Sequence, residues 1–417
     1  MKPPRGQIAL VAFVFMSALL ALSAALLSYL ALYSRGTGQS VNGAEALALA
    51  EGGIDRTIYA LSQDENYTGE SDTAVGGGTF STSVTAANAH TRRVVSTGYI
   101  PKSGDPVASQ TVTATISRDR GVSFHYGVQA GEGGVTIGNG ARVNGSLFSN
   151  GNVSGTGGSI TGDASVAGGG NSLSGASVGG NAWADTLSSC TVAGDASYGA
   201  STCTVGGMLH PGTVAPAQAA FPVPDAYVAD WESAAAAGTV MSGAHTIDSG
   251  GSETLGPGKI IGNLVVSNNA TLYLAGPLWV VGNVTFSGNA HLIVATSGAT
   301  GAVVIADATG NTAASGVVSI ASTATLAGNG DPGSHPMILS TNTGNAITAG
   351  NAAGAILYAA LGAVTIAPNG AADTVVARRL VMGSGSTVSY QNGLKSQVFS
   401  GGNGSTWAVV PGTYVSW

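Results

Sequence analysis

Residues 262–294, GNLVVSNNATLYLAGPLWVVGNVTFSGNAHLIV, repeat themselves. Segments 262–274 and 282–294 superimpose at an offset of twenty, with Gly, Asn, Ser, Asn, Ala and Leu identical in both copies. A period of that length marks one supersecondary unit, which buries its apolar face only by stacking on its neighbours. Each copy holds a short apolar run (Leu264, Val265, Val266; Val284, Thr285, Phe286), a small polar corner (Ser267, Asn268, Asn269; Ser287, Gly288, Asn289) and a second alternation (Leu272, Leu274; Leu292, Val294). The pattern predicts one coil of a parallel β-helix.

The same frame recurs at Gly133, Val135, Ile137, Ala141 and Val143, and at Gly316, Val318, Ile320, Ala324 and Leu326. A weaker copy holds Gly362, Val364, Ile366 and Gly370. Uneven spacing between copies implies loops of varying length outside a stacked core. Sixty-five glycines and 8% charged residues would suit a disordered chain, but 44% of the residues are hydrophobic. Because the apolar residues alternate in strand fashion, the glycines are read as corner residues rather than linkers.

The net charge is −7, and the 14 Lys and Arg form no basic stripe, so nucleic acid is not expected as a partner. From residue 121 onward, five basic residues (Arg142, Lys259, Arg378, Arg379, Lys395) face twelve acidic ones. The remaining surface is Ser, Thr, Asn and Gly, which fits an exported module better than a cytosolic enzyme.

At the N-terminus, residues 8–33 carry no charge. As a helix at ~1.5 Å per residue they span about 39 Å, more than the ~30 Å hydrocarbon core. Lys2 and Arg5 favour an inside N-terminus, although Arg35 weakens that bias. A cleaved signal peptide is the competing reading, but its apolar core is normally ~7–15 residues and no small-x-small site follows Tyr33. A retained membrane anchor is therefore expected, with the bulk of the chain outside the cytoplasm. After a flexible GTGQS, residues 41–63 place Leu47, Ile54, Ile58 and Leu61 on one helical stripe. Gly52 and Gly53 weaken that helix by roughly 1 kcal/mol each relative to alanine, so it needs a partner surface. Thr/Val alternation in residues 66–120 supplies one, as a small antiparallel sheet.

This order of basic residue, glycine, apolar helix and AEGGID-containing amphipathic helix resembles the N-terminus of prepilin-like proteins, in particular PilX-type minor pilins and minor pseudopilins. The resemblance covers about residues 5–62. It implies processing between Gly6 and Gln7, and a helix that first anchors the protein and then packs among other pilin-like subunits. Major pilins carry a glutamate fifth after the cut. This chain has Val11 there, which favours an initiating or tip role.

Phrases such as Gly162-Asp163-Ala164-Ser165-Val166 and Gly194-Asp195-Ala196-Ser197-Tyr198 resemble the repeats of bactofilins, polymer-forming β-helical proteins. In this reading Val, Ile and Leu stack inward, and Gly, Asn and Asp take positive-φ corners. Pro211, Pro216, Pro222 and Pro224 then interrupt the pattern and forbid strand ladders, and Asp225 would N-cap a short helix through Ala237. The expected organisation is a leader and transmembrane helix (1–35), a pilin-like helix with a small sheet (36–120), a first β-helix block (121–207), a Pro-rich linker with a short helix (208–244), and a second block (245–417). Trp407, Tyr414 and Trp417 would cap the second block's last coil.

Cys190 and Cys203 lie thirteen residues apart. In an exported chain they could bond across successive coils; as two buried small hydrophobes they would not. Asp248, Glu253, Asp307, Asp331 and Asp373 are isolated in sequence, and the six histidines show no HExxH spacing, so no catalytic residue, cofactor or metal site is expected. Asp163, Asp185 and Asp195 are read as turn-formers rather than calcium ligands. The expectation is a mainly β surface protein of structural or adhesive function, a minor pilin-like or tip component of a type IV pilus-related system. Its partners would be the membrane (residues 8–33), other pilin-like subunits and surface glycans. A membrane-tethered carbohydrate-active β-helix enzyme and a minor pseudopilin of a secretion system are the alternatives. A groove lined by two carboxylates and a Lys or Arg would favour the enzyme.

Overall fold

A computed structural model of the chain describes residues 5–87, 90–310, 312–401, 406–410 and 412–417. It divides into two compact units, Met1–Ser117 with Trp407–Trp417, and Arg118–Thr406.

In the first unit, helix α1 (Arg5–Gln63) runs through residues 36–40 without a break. The flexible joint expected there is absent. Two glycines cost an isolated helix about 2 kcal/mol, but no proline intervenes to remove a ladder hydrogen bond. Along residues 10–33 every described side chain is exposed. The C-terminal half packs Ala46, Ala50, Ile54 and Leu61 against a sheet that contributes Val94, Val112, Ala114 and Ile116. The expected stripe is rotated: the two alanines are fully buried, and Leu47 and Ile58 lie only partly buried at its edge. The cause is close approach, since the helix backbone sits against Gly98.

That sheet is antiparallel and is built from Thr73–Val75, Gly78–Ala86, Thr91–Ile100 and Ala108–Ser117. Its last strand also pairs with Ala408–Val409 and Val415–Ser416. The aromatic C-terminus, expected to cap the last coil, thus belongs to this unit. Trp407 is buried and its indole N–H donates to the Leu61 carbonyl at 3.2 Å, closing the end of the helix–sheet interface.

The second unit is dominated by parallel strand pairs. The repeat triplets lie side by side in register: Leu264 opposite Val284, Val284 opposite Val318, Val318 opposite Ile347. Parallel ladders also join Thr271–Leu274 to His291–Val294 and then to Thr325–Ala327. In these repeat strands alternate side chains point inward, and Leu264, Val266, Leu272, Leu274, Leu292 and Val318 are fully buried, whereas Pro336–Ser340 is buried on both faces. One apolar cluster runs from Val128 to Val388.

The two sequence blocks share that cluster. Residues 375–382 pair in parallel with 128–137, and Thr387–Ser389 with Arg142–Asn144, so the end of the later block lies on the start of the earlier one. Each would otherwise present an unpaired edge. The interruption is less of a break than the prolines imply. Leu209–Pro211 pairs in parallel with Ala196–Tyr198, and all three of its residues are exposed, so the N–H that Pro211 lacks leaves no buried ladder position unfilled. Helix α2 (Asp225–Ala237) begins one residue earlier than expected, with Pro224 at the N-cap and no side-chain cap. Asp225 is instead the first helical residue, where its charge suits the helix dipole. The helix buries Trp231 beside Tyr227 and Phe399.

Candidate functional site

Two regions of the chain offer chemistry beyond packing. The first is α1 itself. Its apolar part is long enough to cross a membrane, with a mean hydropathy of 2.6 in its most apolar window and none of that window buried. Leu10, Phe13, Phe15, Met16, Leu20, Leu27 and Leu32 are all more than half exposed, on every side of the helix. A helix apolar all round requires either a bilayer or other helices about it. Gly6 and Gln7 fall in its first turn.

The second is a hollow of about 400 Å³ between α2 and the parallel strands, lined by Asp225, Glu232, Asp307, Leu339, Thr341 and Tyr358 among others. Asp307 is held on both oxygens: the Trp279 indole N–H donates to Oδ2 at 3.2 Å and the Thr341 hydroxyl to Oδ1 at 2.9 Å. Lys259 places its ammonium 3.5 Å from the centre of the Trp279 ring. Glu232 is half-buried. Desolvation first, and the charge of Asp307 second, push its carboxyl up to about 7, against the opposing pull of Lys259. A carboxyl that holds a proton near neutrality is a group able to give and take protons. The Tyr358 hydroxyl donates to the Val223 carbonyl at 3.0 Å, and its burial raises the phenol well above the usual tyrosine range.

Of the acidic positions singled out in sequence, Asp307 thus meets Glu232, which sequence reasoning missed because it sits in the proline-rich interruption. Stacking also brings together residues far apart in sequence. Asp373 Oδ2 lies 3.5 Å from His335 Nδ1, both nearly buried, and Asp373 Oδ1 accepts the Gly354 N–H at 3.1 Å. His245 Nε2 lies 2.8 Å from Glu253 Oε2. Among the described residues Asp248 and Asp331 join no such group: Asp248 Oδ1 accepts from the Ser249 hydroxyl, and the Asp331 N–H donates to Asn329. Among the described residues no group of three His, Cys, Asp or Glu side chains could hold a metal ion. Cys190 and Cys203 form a disulfide with Cα atoms 4.7 Å apart, linking neighbouring strands at the outer end of the first block.

The corner residues divide by mechanism. Asn268, Asn269, Asn289 and Asn369 do adopt positive φ. Asp163 and Asp195 do not; each uses a side-chain oxygen to accept a backbone N–H from the next strand layer, from Asn181 and Met208, both at 2.8 Å.

No family model matches the sequence, and no curated protein matches it. Among solved structures, the crystal structure of competence-associated pilin ComZ from Thermus thermophilus aligns over 90% of this chain and 97% of that one, with 13% sequence identity and a TM-score of 0.29. A likeness of that size carries neither fold nor function across.

Proposed function

We propose that this chain is a membrane-anchored, exported structural protein, a minor pilin-like or tip component of a type IV pilus-related assembly, whose parallel strands form a β-helix displayed outside the cell. One observation carries the reading: α1 is a single helix whose first half is bare and apolar and whose second half is packed on a small antiparallel sheet. An anchor joined rigidly to a folded head is the form a subunit needs if it is to leave the bilayer and dock by its helix against others. The Cys190–Cys203 disulfide supports an oxidising compartment. Register offsets of about one repeat between successive parallel strands support the β-helix. Intact-mass and N-terminal peptide analysis of the membrane fraction tests the proposal. A mature chain beginning at Gln7 is the expected result, and one beginning beyond Tyr33 removes the pilin reading.

The Glu232–Asp307 hollow supports a second reading, a tethered carbohydrate-active enzyme, because those two carboxyl side chains line it; Lys259 sits on the Trp279 ring and is not among its lining residues. Release of reducing ends from polysaccharide by the wild type, abolished in Glu232→Gln, would establish it. Equal release by both proteins would dismiss it.

A further inference from the structure

We propose that the outward strand face around Trp183 binds a neutral oligosaccharide, laid across the strand layers with one sugar ring against the indole. This deepens the reading of the second unit as a displayed module and rests on it, because it names what the display would touch.

The face is built by strict alternation. Ala164, Ala182 and Ala196 are buried and stand in register, so Ser165, Trp183 and Ser197 form the outward row, with His210 next in line. Beside that row runs a second one in which Asp163, Asn181 and Asp195 each use Oδ1 to accept the N–H of the following layer, at 2.8 Å in all three steps. A Cβ on the glycine before each donating residue, Gly180, Gly194 or Gly207, would collide with the bonded oxygen. The Gly-Asp/Asn phrase is therefore a device for fixing these side chains rather than a turn signal alone.

With Oδ1 so occupied, Asp163 Oδ2, Asn181 Nδ2 and the hydroxyls of Ser165 and Ser197 have no protein partner among the described residues, and Asp195 Oδ2 has only His210 Nε2 at 4.0 Å. These groups line an open hollow of about 300 Å³. Trp183 is 40% exposed, and its indole N–H donates to the Val214 carbonyl at 3.0 Å, which fixes the ring's orientation. A fixed aromatic surface flanked by pre-positioned donors and acceptors suits a ligand that has both an apolar face and many hydroxyls.

Spacing argues against a cation as the occupant. Asp163 and Asp195 lie two strand layers apart, about 9–10 Å, whereas a calcium ion needs all its oxygens within ~2.6 Å. Charge argues against an acidic sugar, since both fixed carboxylates would repel it.

The test uses the full-length protein in detergent micelles, titrated calorimetrically with cellohexaose, maltohexaose and chitohexaose, with hexagalacturonate as the anionic comparison. Binding of at least one neutral hexamer and none of the anionic one is expected. Trp183→Ala should weaken that binding at least tenfold and Trp183→Phe much less, with unchanged far-ultraviolet circular dichroism in both. Absence of binding by every neutral hexamer, or equal binding by wild type and Trp183→Ala, overturns the inference. Neither result bears on the mature N-terminus or the membrane fraction, so the display reading stands or falls separately.

Discussion

The guanidinium of Arg120 donates to a single carboxylate oxygen of Asp230, from Nε at 2.9 Å and from Nη2 at 2.6 Å, with the arginine side chain only 5% exposed. Asp230 belongs to α2, and Arg120 to the short strand Arg120–Val122 that pairs antiparallel with Gln397–Phe399. The pair ties the interruption to both ends of the parallel unit. Asp230→Ala leaves a buried cation with Thr406 and the Tyr227 ring as partners but no carboxylate among the described residues, and should lower stability by about 3 kcal/mol. Asp230→Asn keeps an acceptor and should lose less. Chemical denaturation of the full chain in micelles measures both.

Glu232 makes stability depend on pH, and the sign follows from its raised value. Its carboxyl ionises near 4.5 in the unfolded chain and at about 7 in the folded one, so between those values the native state holds the extra proton. Stability is then full below pH 4.5 and falls as pH rises toward 7. For a half-buried group the loss should be on the order of 1–2 kcal/mol. Glu232→Gln should flatten this window and make the protein more stable than wild type at pH 8, as read from denaturation midpoints at pH 4.5, 6 and 8.

The twenty-residue repeat was legible because its inward residues reappear at a fixed offset: Leu272 and Leu292, adjacent in the parallel ladder, could be paired from sequence alone. The bare helix of residues 10–33 was legible from the absence of charge. The joining of the later block to the earlier one was not, since nothing local in Val375 announces that its neighbour is Val128, 247 positions earlier. Trp407 misled in the same way, because an aromatic residue near a chain end signals burial without naming the surface. Glu232 could not be paired with Asp307 until α2 was laid against the strands. Contacts between one repeat and the next can be read from sequence, whereas contacts made by the interruptions depend on where the chain returns.

The disulfide closes a short loop at an outer edge. Thr191–Val192 pairs with Thr204–Val205, and next along the chain is Leu209–Pro211, whose residues are all exposed. In the paired variant Cys190→Ala/Cys203→Ser the loss should be about 3 kcal/mol on a chain-entropy estimate, concentrated in these outermost strands. Hydrogen exchange should rise at residues 196–211 and stay slow at 264–294, where ladders continue on both sides. Uniform acceleration through the unit would mean that the edge does not open by itself.

Two glycines of the first unit should respond with opposite signs. A Cβ on Gly98 would collide with the Ala46 carbonyl and lie 2.8 Å from the Ala50 nitrogen and from Leu49 Cβ, so most of the obstructing atoms are helix backbone that cannot rotate away. Gly98→Ala should therefore push α1 off the sheet and destabilise the unit by about 1–3 kcal/mol. Gly52 lies in the same helix with no atom within 4 Å of its added Cβ. There alanine relieves only the backbone entropy of glycine and should stabilise by about 1 kcal/mol. Thermal melts of the two variants in micelles should move in opposite directions from wild type. A stabilised Gly98→Ala would mean that the helix does not rest on the sheet through its alanine face.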